Sequence, residues 1–115
     1  MVTRRRFVPD AGDLVWLDFT PHAGREQAGR RPALVLTSVQ YNRASGLALV
    51  CPITSQRKGY PFEVPLPDGL EVSGVILADH LRSVDWTERQ AELIGKTPQE
   101  VLSEVLNHLS PLLGV

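Results

Sequence analysis

The chain has a single cysteine, Cys51, in 115 residues, so it holds neither an internal disulfide nor a cysteine-based metal site. That scarcity fits a reducing, cytoplasmic setting. It also lacks any long apolar run. The longest, at residues 46–53 and 74–78, are far short of the ~20 residues a membrane-spanning helix needs. The opening Met1-Val-Thr-Arg-Arg-Arg6 leads into no apolar stretch, because Asp10, Asp13 and Asp18 interrupt it, so no signal peptide is expected. Aromatics are few, at 6%. Apolar residues at 43% and charged residues at 22% are ordinary for a globular protein and exclude a disordered or fibrous chain. The length suits one domain, residues 1–115, able to bury a core without staples.

Net charge is also nearly absent, at −1, but its distribution is uneven. Residues 1–58 carry nine Lys and Arg against four Asp and Glu; residues 59–115 carry three against nine. A basic half and an acidic half hint at a polyanionic partner, although two solvated faces would give the same count.

The pattern along the chain is that of short strands. Residues 14–19 are rich in β-formers; residues 32–37 and 47–53 are continuous apolar runs that read as buried strands. Residues 38–45 are polar and suit a short helix ending at Gly46. Residues 62–66 alternate, with Pro65 pushing that strand to an edge, and Pro67-Asp68-Gly69 is turn chemistry. Strands follow at 74–79 and 81–86, with a short one at 92–95. A closing helix is expected with Thr97 as cap, Glu100 completing a capping box, and Val101, Leu102, Val105, Leu106 and Leu109 on one face. Pro111 should stop it near Ser110. Together these predict a mainly β protein: a small, strongly curved antiparallel sheet or barrel with a C-terminal helix.

Two polar loops are placed to carry chemistry. The first, residues 20–29, runs on into the next strand and crowds Arg25, Glu26, Gln27, Arg30 and Arg31 between and beyond Gly24 and Gly29. Pro32 biases Arg31 toward an extended conformation, and a guanidinium forks onto phosphate oxygens. The second, residues 54–61, offers Thr54, Ser55 and Gln56 as hydrogen-bonding groups, Arg57 and Lys58 as charge, and Tyr60 as a stacking face. Each loop alone also suits a solvated surface. No H-E-x-x-H, G-x-S-x-G or P-loop is present, and His22, His80 and His108 have no metal-ligand spacing. His108 reads as solvated, Trp16 and Trp86 as core or interface residues, and Cys51 as inert within an apolar strand.

Four segments in order then become informative together: Gly12-Asp-Leu-Val-Trp-Leu-Asp-Phe19, Glu26-Gln-Ala-Gly-Arg-Arg-Pro-Ala-Leu-Val-Leu36, Pro52-Ile-Thr-Ser-Gln-Arg-Lys-Gly-Tyr-Pro-Phe-Glu-Val64 and Gly74-Val-Ile-Leu-Ala-Asp79. Nearly the whole chain resembles the MazF/PemK family of toxin endoribonucleases. The resemblance implies an SH3-like or CcdB-like barrel, built as a homodimer. It implies cleavage of single-stranded RNA without a metal or other cofactor, by attack of a 2′-hydroxyl on its own phosphate. The products would be a 2′,3′-cyclic phosphate and a 5′-hydroxyl. An acidic, MazE-like antitoxin would hold the toxin silent by covering the RNA groove.

Carried over, the family's catalytic arginine falls on Arg31, its threonine on Thr54, its glutamate on Glu26 and its base-contacting phenylalanine on Phe19. Some relatives have His before the arginine; this chain has Arg30, so no histidine base stands there. Arg31 and Thr54 suit stabilisation of charge on the phosphate oxygens. A guanidinium is a poor base, and Glu26 is better fitted to proton transfer. Arg25, Gln27, Arg30, Ser55, Gln56, Arg57 and Lys58 are candidate RNA contacts. Two alternatives share the fold: a CcdB-like gyrase-binding toxin, disfavoured because the last tryptophan is Trp86 rather than one near the C-terminus, and a non-catalytic member that binds RNA or antitoxin.

Overall fold

The computed structural model describes residues 7–19 and 29–115. In chain order these form β1 (Asp13–Asp18), β2 (Arg30–Val35), α1 (Val39–Ser45), β3 (Leu47–Thr54), β4 (Glu63–Pro65), β5 (Val75–Leu77), a 3-10 turn (Ala78–His80), β6 (Arg82–Asp85), β7 (Glu92–Lys96) and α2 (Gln99–Leu113). All pairings are antiparallel, in the order β4-β5-β3-β2-β1-β7, with β6 beside the first half of β3. Among the described residues the sheet is barrel-like but not closed, ending on β4 and β7. Pro65, which cannot donate to a ladder, does sit on the outer strand.

Strand alternation divides the core in two. Leu14, Leu34, Cys51, Ile53, Val64 and Ile76 face α2, meeting Val101, Leu102, Val105 and Leu109. On the opposite side Val15, Leu17, Phe19, Ala33, Val35, Val50, Val84 and Trp86 form a second cluster. Strand β3 contributes to both, which is why it reads as a continuous apolar run rather than an alternating one. Leu106 lies off the buried face of α2 and is 45% exposed, contrary to the expected stripe.

Helix α1 matches its sequence signals. Ser38 accepts from the Tyr41 amide, and Gly46, at φ +75°, closes the C-terminus. Inside it Asn42 is fully buried and completely used. Its amide nitrogen donates to the Pro9 and Thr37 carbonyls (2.8 and 2.9 Å), its Oδ1 accepts from the Thr37 hydroxyl, and its backbone carbonyl accepts from Trp86 Nε1 (3.0 Å). This places Trp86 in the core, as expected.

The C-terminal helix departs from expectation at both ends. Thr97 does not cap it. Its backbone amide is committed to the Gly12 carbonyl (2.9 Å), extending the β1–β7 ladder, its buried hydroxyl has no partner among the described residues, and Pro98 takes the N-cap without a side-chain bond. Nor does Pro111 end it. The missing N–H falls in the last turn, opposite the exposed Asn107, and the chain closes three residues later. There Val115 N–H donates to Ser110 O and Gly114 N–H to Pro111 O, around Gly114 at φ +75°.

Asp10 ties the N-terminal segment to α1. Its carboxylate accepts from the amides of Val39 and Ala11 (both 2.9 Å), with Lys96 Nζ 3.8 Å away. The Val39 bond, helped by Ala11 and Lys96, outweighs desolvation and holds this carboxyl below its ordinary value near 3.8. The charged form is therefore favoured by folding, and its contribution is present above that value and lost as the pH falls through the lowered one. Asp10→Asn should show a flatter loss of stability below about pH 4 than wild type, read as urea midpoints across the acid range. Asn42→Ala should cost about 2–4 kcal/mol in the same experiment at neutral pH, because it strands the buried Pro9 carbonyl and the half-buried Thr37 groups.

Candidate active site and nucleic-acid interface

Arg31 lies inside a strand, not before one. The expected start at residue 32 moves to Arg30, because Phe19 N–H donates to Gly29 O (2.8 Å) and carries the β1–β2 ladder past Leu17↔Arg31. Gly29, at φ +78°, supplies the left-handed conformation where this ladder ends. The β2–β3 register pairs Ala33 with Pro52 and Leu34 with Cys51. Continued by two residues, it sets Arg31 across from Thr54, on the same face of the sheet.

Thr54 is the last residue of β3 and pairs with Val75. Its Oγ1 accepts from the Gln56 amide (3.1 Å), which leaves the hydroxyl proton to donate outward. Its backbone is pressed against Gly74. A Cβ there would lie 2.2 Å from the Thr54 carbonyl oxygen, and Gly74 has φ +123°, so only glycine fits.

Beyond Thr54 opens a cavity of about 580 Å³. Gln56, Lys58 and Tyr60 line it from the second loop, and Glu63, Leu77, Asp79 and His80 from the neighbouring strands and 3-10 turn. The Glu63 carboxylate shapes this loop by accepting from the amides of Lys58 (3.1 Å) and Gly59 (2.9 Å), the latter at φ +81°. Ser55 and Arg57 are exposed on the same loop. The cavity is thus mixed in charge, with two carboxylates beside an ammonium and a half-buried imidazole.

Three residues of this wall, Glu63, Asp79 and His80, were not among the sequence candidates. Glu63 and Asp79 stand inside the quoted segments, but their convergence on Thr54 comes from the β3–β5 and β4–β5 pairings, which no local pattern encodes.

Other candidates are placed differently. Arg30 points to the face opposite Arg31, where Asp18 (3.2 Å), Glu92 (3.1 Å) and the Gln90 carbonyl (2.8 Å) hold it. Its contacts are those of a sheet-edge clamp. Phe19 is fully buried in the second core cluster, beneath the Arg82 guanidinium, and not on the groove surface. Alternation along β1 puts it on the side of Val15 and Leu17. Arg25, Glu26 and Gln27, like His22, lie outside the described residues.

The arrangement is thus a strand-borne guanidinium and hydroxyl beside a polar cavity and a basic loop. A family model described as PemK-like, MazF-like toxin of type II toxin-antitoxin systems matches residues 10–113. The chain belongs to the MazF/PemK toxin family. It is 48% identical to the endoribonuclease toxin MazF of Escherichia coli over 109 residues, 95% of this chain and 97% of the relative. A crystal structure of MazF from Deinococcus radiodurans superposes with a TM-score of 0.93 at 60% identity, covering 96% of this chain and all of that one. A MazE-MazF complex from the same organism gives 0.86 at 55% identity, over 96% and 99% of the two chains. The small barrel-like MazF fold expected from the resemblance is the one observed.

Gly74→Ala should disturb this MazF-type site more than the fold. We expect loss of the Thr54 position, seen as shifted Ser55 and Gln56 amide resonances, and at least tenfold lower nuclease activity. Cys51, whose thiol is pushed up to about 12 by burial and by the nearby Asp79 charge, should stay unmodified by thiol reagents at pH 8 until the chain is unfolded.

Proposed function

We propose that this chain is a sequence-specific endoribonuclease toxin that cleaves single-stranded RNA by transesterification. The observation that supports it is the β2–β3 register, which, continued by two residues, sets Arg31 across from Thr54, a residue of the cavity wall. A phosphate seated between them meets a permanent cation and a hydroxyl donor as charge grows on its non-bridging oxygens. The 2′-oxygen attacks phosphorus, the bond to the 5′-oxygen breaks, and a cyclic phosphate and a 5′-hydroxyl result. We assign charge stabilisation to the guanidinium rather than to a metal, and proton transfer or nucleotide positioning to Glu26. Selection of unstacked bases is assigned to Ser55, Gln56, Arg57 and Lys58 of the second loop and to Arg25 and Gln27 of the first.

Growth arrest by RNA cleavage in the cytoplasm follows from this reading, with neutralisation by an acidic antitoxin that competes for the groove. The MazE-MazF complexes of the relative support that partner. No helix among the described residues is long and apolar enough to cross a membrane. A homodimer is proposed in line with the family, and exposed Leu93, Leu106, Leu112 and Leu113 offer apolar surface for an interface.

The test is end mapping. Incubation with an unstructured RNA pool in excess chelator should give 5′-hydroxyl ends at one recurring motif. Arg31→Ala and Thr54→Val should each lower cleavage by about 10²-fold or more, the scale for removing one donor to a developing oxyanion. Absence of cuts, or an Arg31→Ala protein as toxic as wild type, would favour gyrase binding or RNA binding without catalysis.

A further inference from the structure

We propose that Arg82 is a second phosphate-binding guanidinium of this site, gripping a phosphate other than the scissile one on the same strand. The inference rests on the RNA-cleaving reading above and adds a residue to it. Strand β6 pairs with β3 through Val50↔Arg82 and Ala48↔Val84, so Arg82 shares a face with Val50 and Val84. That is the face of the second core cluster and, by alternation, the face of Arg31 and Thr54.

The Arg82 guanidinium carbon lies 5.3 Å from the centroid of the Phe19 ring. Phe19 is fully buried, so the platform beneath the cation is fixed. A ring attracts a guanidinium by its π face and consumes none of its five N–H donors. Among the described residues no carboxylate lies within ion-pair distance of Arg82. The contrast with Arg30, paired with both Asp18 and Glu92, is chemical as well as geometric. Arg82 is a partly buried cation, oriented by an aromatic ring, with no hydrogen-bond acceptor or carboxylate partner among the described residues. Such a group favours an incoming anion, and the planar fork matches phosphate.

Strands β2 and β6 flank β3, and the two arginines stand about 10 Å apart across the sheet and about 13 Å along it. That separation, taken between backbone positions, exceeds one nucleotide step, so Arg82 is assigned to another phosphate of the same strand rather than to the scissile one. Its contribution is therefore to binding and alignment, with little direct effect on the chemical step.

The experiment measures affinity for a single-stranded 2′-fluoro oligonucleotide, which lacks the attacking hydroxyl, across a range of salt concentrations. Wild type is compared with Arg82→Gln, Arg82→Lys and, as a charge control on α1, Arg43→Gln. Arg82→Gln should bind at least fivefold more weakly, with a log-affinity against log-salt slope shallower by about 0.7, the loss of one phosphate contact to a single strand. Arg82→Lys should keep the slope, and Arg43→Gln should leave both quantities as in wild type. On cleavable RNA, Arg82→Gln should raise KM with kcat within about threefold. If Arg82→Gln does not fold, Arg82→Met, which retains packing on Phe19, takes its place. A neutral variant with the wild-type salt slope overturns the assignment while wild-type cleavage leaves the nuclease reading standing. A wild-type protein that binds no single strand overturns both.

Discussion

The site depends on how β3 is paired. This strand carries β2 along one edge and, along the other, β6 beside its first half and β5 beside its last two residues. Both faces are covered, one by the cluster against α2 and the other by the cluster around Val50. A one-residue slip would turn Cys51 and Ile53 out of the first cluster and Val50 out of the second, so the register is fixed by burial on two sides. Thr54 is where that constraint ends. It is the first residue of the strand to leave the core, yet its backbone is still clamped by Val75 and by the close approach of Gly74. A hydroxyl held this way keeps its direction without a dedicated side-chain scaffold, which is the precision a charge-stabilising donor needs.

The same alternation explains why adjacent arginines have unlike fates. Arg30 and Arg31 are neighbours in the chain but stand on opposite faces of β2. On one face Asp18 of β1 and Glu92 of β7 converge on Arg30, which locks β1, β2 and the turn before β7 together. On the other face lie Arg31, Thr54 and the Phe19–Arg82 stack. The basic first half of the sequence is thus divided between a clamp that stabilises the sheet edge and the face proposed to meet RNA. Net charge by segment could not separate these uses, since it counts both arginines alike.

Much of the fold was legible because its signals are local. The short helix expected before Gly46 is α1, the apolar run became β3, and Pro65 marked an edge. Where local rules failed, tertiary pairing had overridden them. The Thr97 amide belongs to the ladder with β1, so the capping box never forms. Pro111 costs only a hydrogen bond in an exposed last turn, so the helix runs on to its glycine. The candidate site divides in the same way. Motif residues Arg31 and Thr54 could be named from the chain, whereas Asp79 and His80 reach the cavity through the β3–β5 pairing, which no local pattern encodes.

Glu63 joins these two levels. It sits in the quoted Lys58-Gly-Tyr-Pro-Phe-Glu63 segment, and its carboxylate binds the amides of Lys58 and Gly59 five and four residues before it. The loop is therefore folded back on its own strand, with Gly59 supplying the backbone turn that a side chain would resist. This explains why a basic, exposed loop holds a defined shape next to the Thr54 cavity. Its cation is presented by backbone geometry set in sequence, while the opposing cation, Arg82, is presented by an aromatic ring set in tertiary structure. A flexible polyanion laid across the face would meet charges already in place at both margins, so the ordering cost of binding falls mainly on the nucleic acid and little on the protein.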